Sequence, residues 1–219
     1  MTWLSLAILL VVYPGLSLIG LGQDYSALFA NMTQGVLLFL LITTILFQWG
    51  IFLINYSTTY LEGTGLAGLG LKPLRMVDFA WGLSFMLASY AILSGLAWLM
   101  ARIGLPLSGE IRLLVPEGVV GKIVWVLVSF TAGFCEEIGF RGYAMSRLRI
   151  LGRFRTWLWP SVISAVAFGS CHVYQGAGGF ILIAIYGLMF SALYIRTGRL
   201  WPCIIAHSLW DLGALFYPR

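Results

Sequence analysis

Seven long apolar stretches dominate the sequence, each close to the about 20 residues that a helix needs to cross a bilayer. They run over Trp3–Gly22, Gly35–Tyr60, Asp78–Ala101, Lys122–Arg147, Trp157–Tyr174, Gly179–Arg196 and Leu200–Tyr217. Their apolar residues are continuous rather than alternating, which predicts helices and not the strands of a porin-type barrel. The expected fold is therefore all-α: a polytopic transmembrane helix bundle of about seven (six to eight) membrane helices. Pro14-Gly15 inside the first stretch predicts a kink or an interfacial position for it.

Composition closes off the soluble alternatives. Of 219 residues, 60% are hydrophobic and 10% charged, where soluble domains carry about 25% charged residues. Eight acids, thirteen bases and two histidines cannot cover a soluble surface. The three cysteines, Cys135, Cys171 and Cys203, lie inside apolar stretches and form no disulfide framework. No linker, repeat or low-complexity run divides the chain, so residues 1–219 read as one integral membrane domain.

The bases read as topology signals, and no nucleic-acid partner is expected. Loops after the second, fourth and sixth stretches hold Lys72, Arg75, Arg147, Arg149, Arg153, Arg155, Arg196 and Arg199. The other side holds Arg102, Arg112, Lys122 and Arg219. This asymmetry predicts a cytoplasmic N-terminus, and the expected location is the plasma (inner) membrane of a prokaryote. Trp157, Trp159, Trp201 and Tyr217 near helix ends suit an interfacial aromatic belt. The segment Arg102–Gly121, with Pro106, Gly109 and Pro116, reads as an exposed loop.

Ionisable groups within a bilayer cost about 2.5–3.5 kcal/mol each on insertion scales, and here they cluster. The fourth stretch carries Glu136, Glu137 and Arg141, the fifth His172, the seventh His207 and Asp211. Glu137–Arg141 and His207–Asp211 are each i,i+4 pairs on one helix face. Glu136 projects about 100° further round its helix. Counted from the cytoplasmic helix ends at about 1.5 Å per residue, Glu136 and Asp211 lie about 17 Å deep, His207 about 10 Å and His172 about 22 Å. These depths allow one shared polar cavity. Pairing of helices is the competing explanation, and it suits Glu137–Arg141 best, because that pair neutralises itself.

A carboxylate in a water-poor cavity suits general acid–base chemistry. Glu136 would take a proton from water, His172 and His207 would donate to the developing oxyanion, and Glu137 with Arg141 would hold the base in place. Alternatively, two histidines and a carboxylate make a zinc site with an open position for water. The residues alone leave both schemes open. The chain has no His-Glu-x-x-His, Gly-x-Gly-Asp or Gly-x-Ser-x-Gly pattern. A proton-coupled membrane transporter would also use Glu, His and Asp, but the inverted repeats common in such proteins are absent. A non-catalytic membrane partner would not need the full polar set.

Three short patterns occur in order: Glu136-Glu137-x-x-x-Arg141, Phe168-x-x-x-His172 and His207-x-x-x-Asp211. Together they resemble the CPBP family, the CaaX prenyl endopeptidases and bacteriocin-processing (Abi) intramembrane proteases. The resemblance covers a core of about residues 120–215. It implies an intramembrane endopeptidase that cleaves a membrane-associated protein or peptide, prenylated or not. It also implies that Glu136 activates water, and that Glu137, His172, His207 and Asp211 complete the site, with Arg141 and Phe168 in support. For this family, both glutamate-dependent and metal-dependent (zinc) chemistry are in play, and the glutamate scheme is the one expected here. Asp211 departs from the asparagine frequent at the last position. An ionised carboxylate cannot donate to an oxyanion, so Asp211 would instead orient His207 or bind a metal.

Overall fold

A computed structural model describes residues 1–19, 25–107 and 111–216. Every described regular element is helical. The main helices are α1 Thr2–Leu18, α2 Tyr25–Ala30, α3 Gln34–Leu61, α4 Met76–Arg102, α5 Gly118–Leu151, α6 Leu158–Ser170, α7 Gly176–Thr197 and α8 Trp201–Leu212. Four of them, α3, α4, α5 and α7, are long and apolar enough to cross a membrane. The other three expected spans, α1, α6 and α8, are shorter helices. The ends of the first and seventh stretches, residues 20–24 and 217–219 with Tyr217 and Arg219, lie outside the described residues.

The outer surface is what a lipid solvent requires. Phe39, Leu46, Leu53, Leu87 and Trp98 on α3 and α4 are largely exposed, a pattern that water would penalise. Four polar side chains of α3 point the other way: Gln48, Asn55, Thr58 and Thr59 are buried.

Small residues set how closely the helices approach, the device that membrane bundles use in place of hydrophobic collapse. A Cβ at Gly133 on α5 would collide with Ser208 and the Ile204 carbonyl on α8. One at Gly169 on α6 would meet Ala184 on α7, and one at Gly187 on α7 would meet Ala165 on α6. These contacts bring α8 onto α5, and α6 onto α7, with no room for an inserted side chain.

Two of these helices depart from α geometry. In α1 the turn Ile8–Val12 is π-helical and the helix continues through Pro14 to Leu18. The wider turn just before Pro14 accommodates its missing N–H and its ring without ending the helix. In α5 the π-helical stretch is Glu137–Ala144, immediately after Glu136. Its widened turns are filled by neighbours: Leu9 packs over Gly139, and Leu69 and Leu200 over Gly142. Ser164 on α6 donates to the Phe140 carbonyl at 2.9 Å within this stretch.

Two bases placed by sequence in loops, Arg147 and Arg199, are buried and paired. Arg147 donates from Nε to Glu62 Oε2 at 2.8 Å and from Nη2 to Thr64 at 2.8 Å. Thr2 also donates to Glu62, so this cluster ties α1 to α3 and α5. Burial alone would raise the Glu62 carboxyl, but its bonds from Arg147 and Thr2 hold it below the ordinary range. Arg199 pairs with Asp78 through Nε and Nη2 at 2.6 and 2.7 Å, joining the turn before α8 to the start of α4. The expected loop Arg102–Gly121 contains a short 3₁₀ turn, Ile111–Leu114, followed by a buried Val115. Residues 108–110, with Gly109, lie outside the described residues.

Candidate active site

A cavity of about 390 Å³ opens among α1, α3, α5, α7 and α8. Glu136, His172, His207 and Asp211 line it, so residues far apart in the chain share one chamber. Most of the remaining wall is apolar, including Leu41, Val128, Ile183 and Trp210.

Glu136 is 6% exposed. Its Oε1 accepts from Gln48 Nε2 at 2.7 Å and from the Tyr13 hydroxyl at 3.3 Å. Its Oε2 has no hydrogen-bond partner among the described residues and faces His207 Nε2 at 3.9 Å. One carboxylate oxygen is thus held and the other is free of hydrogen bonds among the described residues. The two groups that hold it come from α1 and α3. Sequence reasoning assigned the holding role to Glu137 and Arg141 and missed Tyr13 and Gln48. The available signal was Gln48 itself, a carboxamide in the middle of an apolar span, where a polar side chain needs a partner.

Glu137 does not line the cavity. It is fully buried behind His207, and its Oε1 accepts from His207 Nδ1 at 2.8 Å and from Arg141 Nη1 at 3.1 Å. The two adjacent glutamates therefore face different partners, as their angular separation on the helix predicts. Arg141 is 1% exposed and its guanidinium lies over the rings of Phe168 at 4.2 Å and Phe190 at 5.0 Å. These ring faces supply part of what water would otherwise give the cation.

His207 has one nitrogen on each side of the wall. Nδ1 is fixed by Glu137, while Nε2 faces Glu136 Oε2 and, at 3.6 Å, Asp211 Oδ2. Asp211 is anchored through its backbone, whose carbonyl accepts from Trp125 Nε1 at 3.0 Å. The His207–Asp211 pair keeps the shared face that its spacing predicts.

His172 is placed differently from its sequence expectation. The helix α6 ends at Ser170, and His172 sits in the turn beyond it, not within the span. Gly176, at φ +77°, then lets the chain reverse into α7. His172 Nδ1 lies 2.9 Å from the Phe168 carbonyl. A carbonyl only accepts, so Nδ1 carries the proton and the neutral ring presents a lone pair at Nε2. In that tautomer Nε2 of His172 is an acceptor. Phe168 connects both histidines: its ring centroid is 5.0 Å from that of His172 and 6.0 Å from that of His207.

The zinc alternative can be tested on the same atoms. With both Nδ1 atoms engaged, each ring keeps Nε2 for a ligand, the arrangement found in many metal sites. Among the described residues, however, no three His, Cys, Asp or Glu side chains converge closely enough to hold a metal ion. The donors suit a metal but their spacing does not. The cysteines are buried, and Cys171 at the cavity wall is turned to the Ala167 carbonyl.

No curated protein and no solved structure matches the chain. A family model does match, over residues 119–213, under half of the chain, which include Glu136, Glu137, His172, His207 and Asp211. It supports a CAAX-type intramembrane protease, a peptide hydrolase acting on protein in a membrane setting. The segment that supplies both glutamates and both histidines is thus a match to the type II CAAX prenyl endopeptidase Rce1-like family, consistent with the CPBP family that its three motifs resemble.

Proposed function

We propose that this protein is a glutamate-dependent intramembrane endopeptidase, with Glu136 as the general base. The observation that carries the reading is the asymmetry of the Glu136 carboxylate. Gln48 and Tyr13 occupy Oε1, and Oε2 is left facing His207 Nε2 across the cavity wall. A water between Oε2 and a bound peptide gives its proton to Glu136 and attacks the carbonyl carbon. The oxyanion that forms accepts from His207 Nε2–H, whose second proton, on Nδ1, is held by Glu137. Asp211, beside Nε2, supplies a compensating negative charge when the ring carries both protons. Glu136 then returns its proton to the leaving amine. His172, with its Nε2 lone pair, orients the attacking water. Glu137 and Arg141 act through His207 and are positioning residues.

The mostly apolar wall suits a lipid-modified or apolar peptide entering from the membrane. Purified protein supplied with prenylated and unmodified CAAX-type peptides, with and without a chelator, tests this. Cleavage of the prenylated peptide that persists in chelator is expected. Loss of cleavage on chelation, restored by zinc, would favour the zinc-dependent version. Failure to cleave either peptide, together with pH-driven flux in liposomes, would favour a transporter.

Gln48 offers a separate check from outside the matched segment. Gln48→Leu removes the 2.7 Å bond to Oε1 and frees the carboxylate to rotate. Turnover is expected to fall about tenfold, with KM and thermal unfolding little changed. An unchanged kcat would remove Gln48 from a positioning role.

A further inference from the structure

A second cavity, of about 440 Å³, lies where α5 meets the loop to α6. Ser146, Arg149 and Ile150 from α5, and Arg153, Arg155 and Trp157 beyond it, form its walls. Arg149 lies 4.3 Å over the Trp157 ring. None of the three arginines has a carboxylate partner among the described residues. The adjacent Arg147, by contrast, is consumed by Glu62. Orientation of a membrane protein needs positive charge in a loop; it does not need three guanidinium groups, none with a carboxylate partner among the described residues, gathered round one pocket.

The backbone of this loop carries a second signal. The Phe154 N–H bonds the Arg149 carbonyl at 3.1 Å and the Arg153 N–H bonds the Ile150 carbonyl at 3.2 Å. This is the helix-ending motif whose left-handed position is usually glycine. Here Arg153 occupies it, at φ 51°, as the one non-glycine residue with positive φ among the described residues. The neighbouring glycine, Gly152, is spent elsewhere, because a Cβ there would collide with the Phe154 ring. A charged side chain at a pocket on a residue in the left-handed region points to use of that side chain.

The surroundings point to the ligand. Ile150, Leu158 and Trp159 beside the pocket are each more than half exposed, and Trp157 and Trp159 are of the residue type that favours a membrane interface. Arginine matches phosphate oxygens in bidentate pairs. We propose that this pocket binds the phosphate oxyanion of an anionic membrane phospholipid, seated among Arg149, Arg153 and Arg155 with its acyl chains along Ile150, Leu158 and Trp159. A free phosphate would share the arginines but gain nothing from the apolar flank. The proposal stands apart from the chemistry of the Glu136 cavity.

Native mass spectrometry of the full chain in detergent tests it, with dioleoyl phosphatidylglycerol, dioleoyl phosphatidylcholine or inorganic phosphate added separately. Phosphatidylglycerol is expected to be retained in preference to phosphatidylcholine. Arg153→Gly should lower that retention about fivefold, and the triple Arg149→Gln/Arg153→Gln/Arg155→Gln about a hundredfold, at roughly a factor of five per arginine. Arg153→Gly relieves the left-handed backbone, so an unfolding temperature no lower than that of the parent separates lost binding from lost fold. Arg196→Gln, which removes a base outside the pocket, should leave retention unchanged. Equal retention of the two lipids, unchanged retention in both pocket variants, or an equal loss in Arg196→Gln would overturn the proposal. Retention of inorganic phosphate without the lipid would overturn it in favour of a soluble ligand.

Discussion

Glu136→Gln is expected to lower peptide cleavage by about 10²–10⁴-fold, the usual contribution of a positioned general base. The substitution is nearly isosteric. Its amide oxygen still accepts from Gln48 and Tyr13, which hold Oε1 in the parent protein, so the helices around it keep their places. What it loses is the ability to take a proton at the position that faces His207 Nε2 at 3.9 Å. Turnover of a cleavable prenylated peptide, measured beside thermal unfolding in the same detergent, separates the two effects. Turnover within about tenfold of the parent, far short of that range, would remove Glu136 from the base role.

Arg141→Met should produce the largest loss of stability, about 3–5 kcal/mol, the range found when one partner of a buried ion pair is removed. The pair it breaks is enclosed: Glu137 is 0% exposed and Arg141 1%. No water reaches Glu137 to replace the 3.1 Å bond from Nη1. The change also takes the cation from the faces of Phe168 and Phe190 and loosens the ring that packs against both histidines. Arg141→Met/Glu137→Gln removes both charges and is expected to recover much of the stability. Activity should stay low, because a neutral amide in place of the Glu137 carboxylate cannot balance a charged His207. Thermal unfolding and the yield of monodisperse protein read the first effect, and peptide turnover the second. A single variant as stable as the parent would show that the pair contributes little to the fold.

The membrane class and the helical content were legible because each apolar stretch obeys a local rule of length and continuity. The cavity was legible in outline for a related reason. Charges in lipid must find partners, and Glu136, His172, His207 and Asp211 had few from which to choose. The i,i+4 pairs Glu137–Arg141 and His207–Asp211 needed only helix geometry. Other features lay beyond a local reading. The end of α6 at Ser170, and with it the acceptor face of His172, depends on the Phe168 carbonyl and on the turn at Gly176. Burial of Arg147 and Arg199 depends on Glu62 and Asp78, which lie 85 and 121 positions away.

Local chemistry in the chain was thus sufficient to determine that it forms helices apolar enough for a membrane, and that Glu136, Glu137, Arg141 and His207 turn inward. Only the tertiary structure decided that Gln48 and Tyr13 hold Glu136, that Glu137 stands behind His207, and that three arginines enclose a pocket at the end of α5. The reason is physical. Hydropathy and helical periodicity act over neighbouring residues, whereas a side chain's partner across a bundle is set by which helices touch and in what rotation. That is controlled by close approaches such as Gly133 against Ser208 and by the π-helical turns of α5, whose effect reaches residues far removed in the chain.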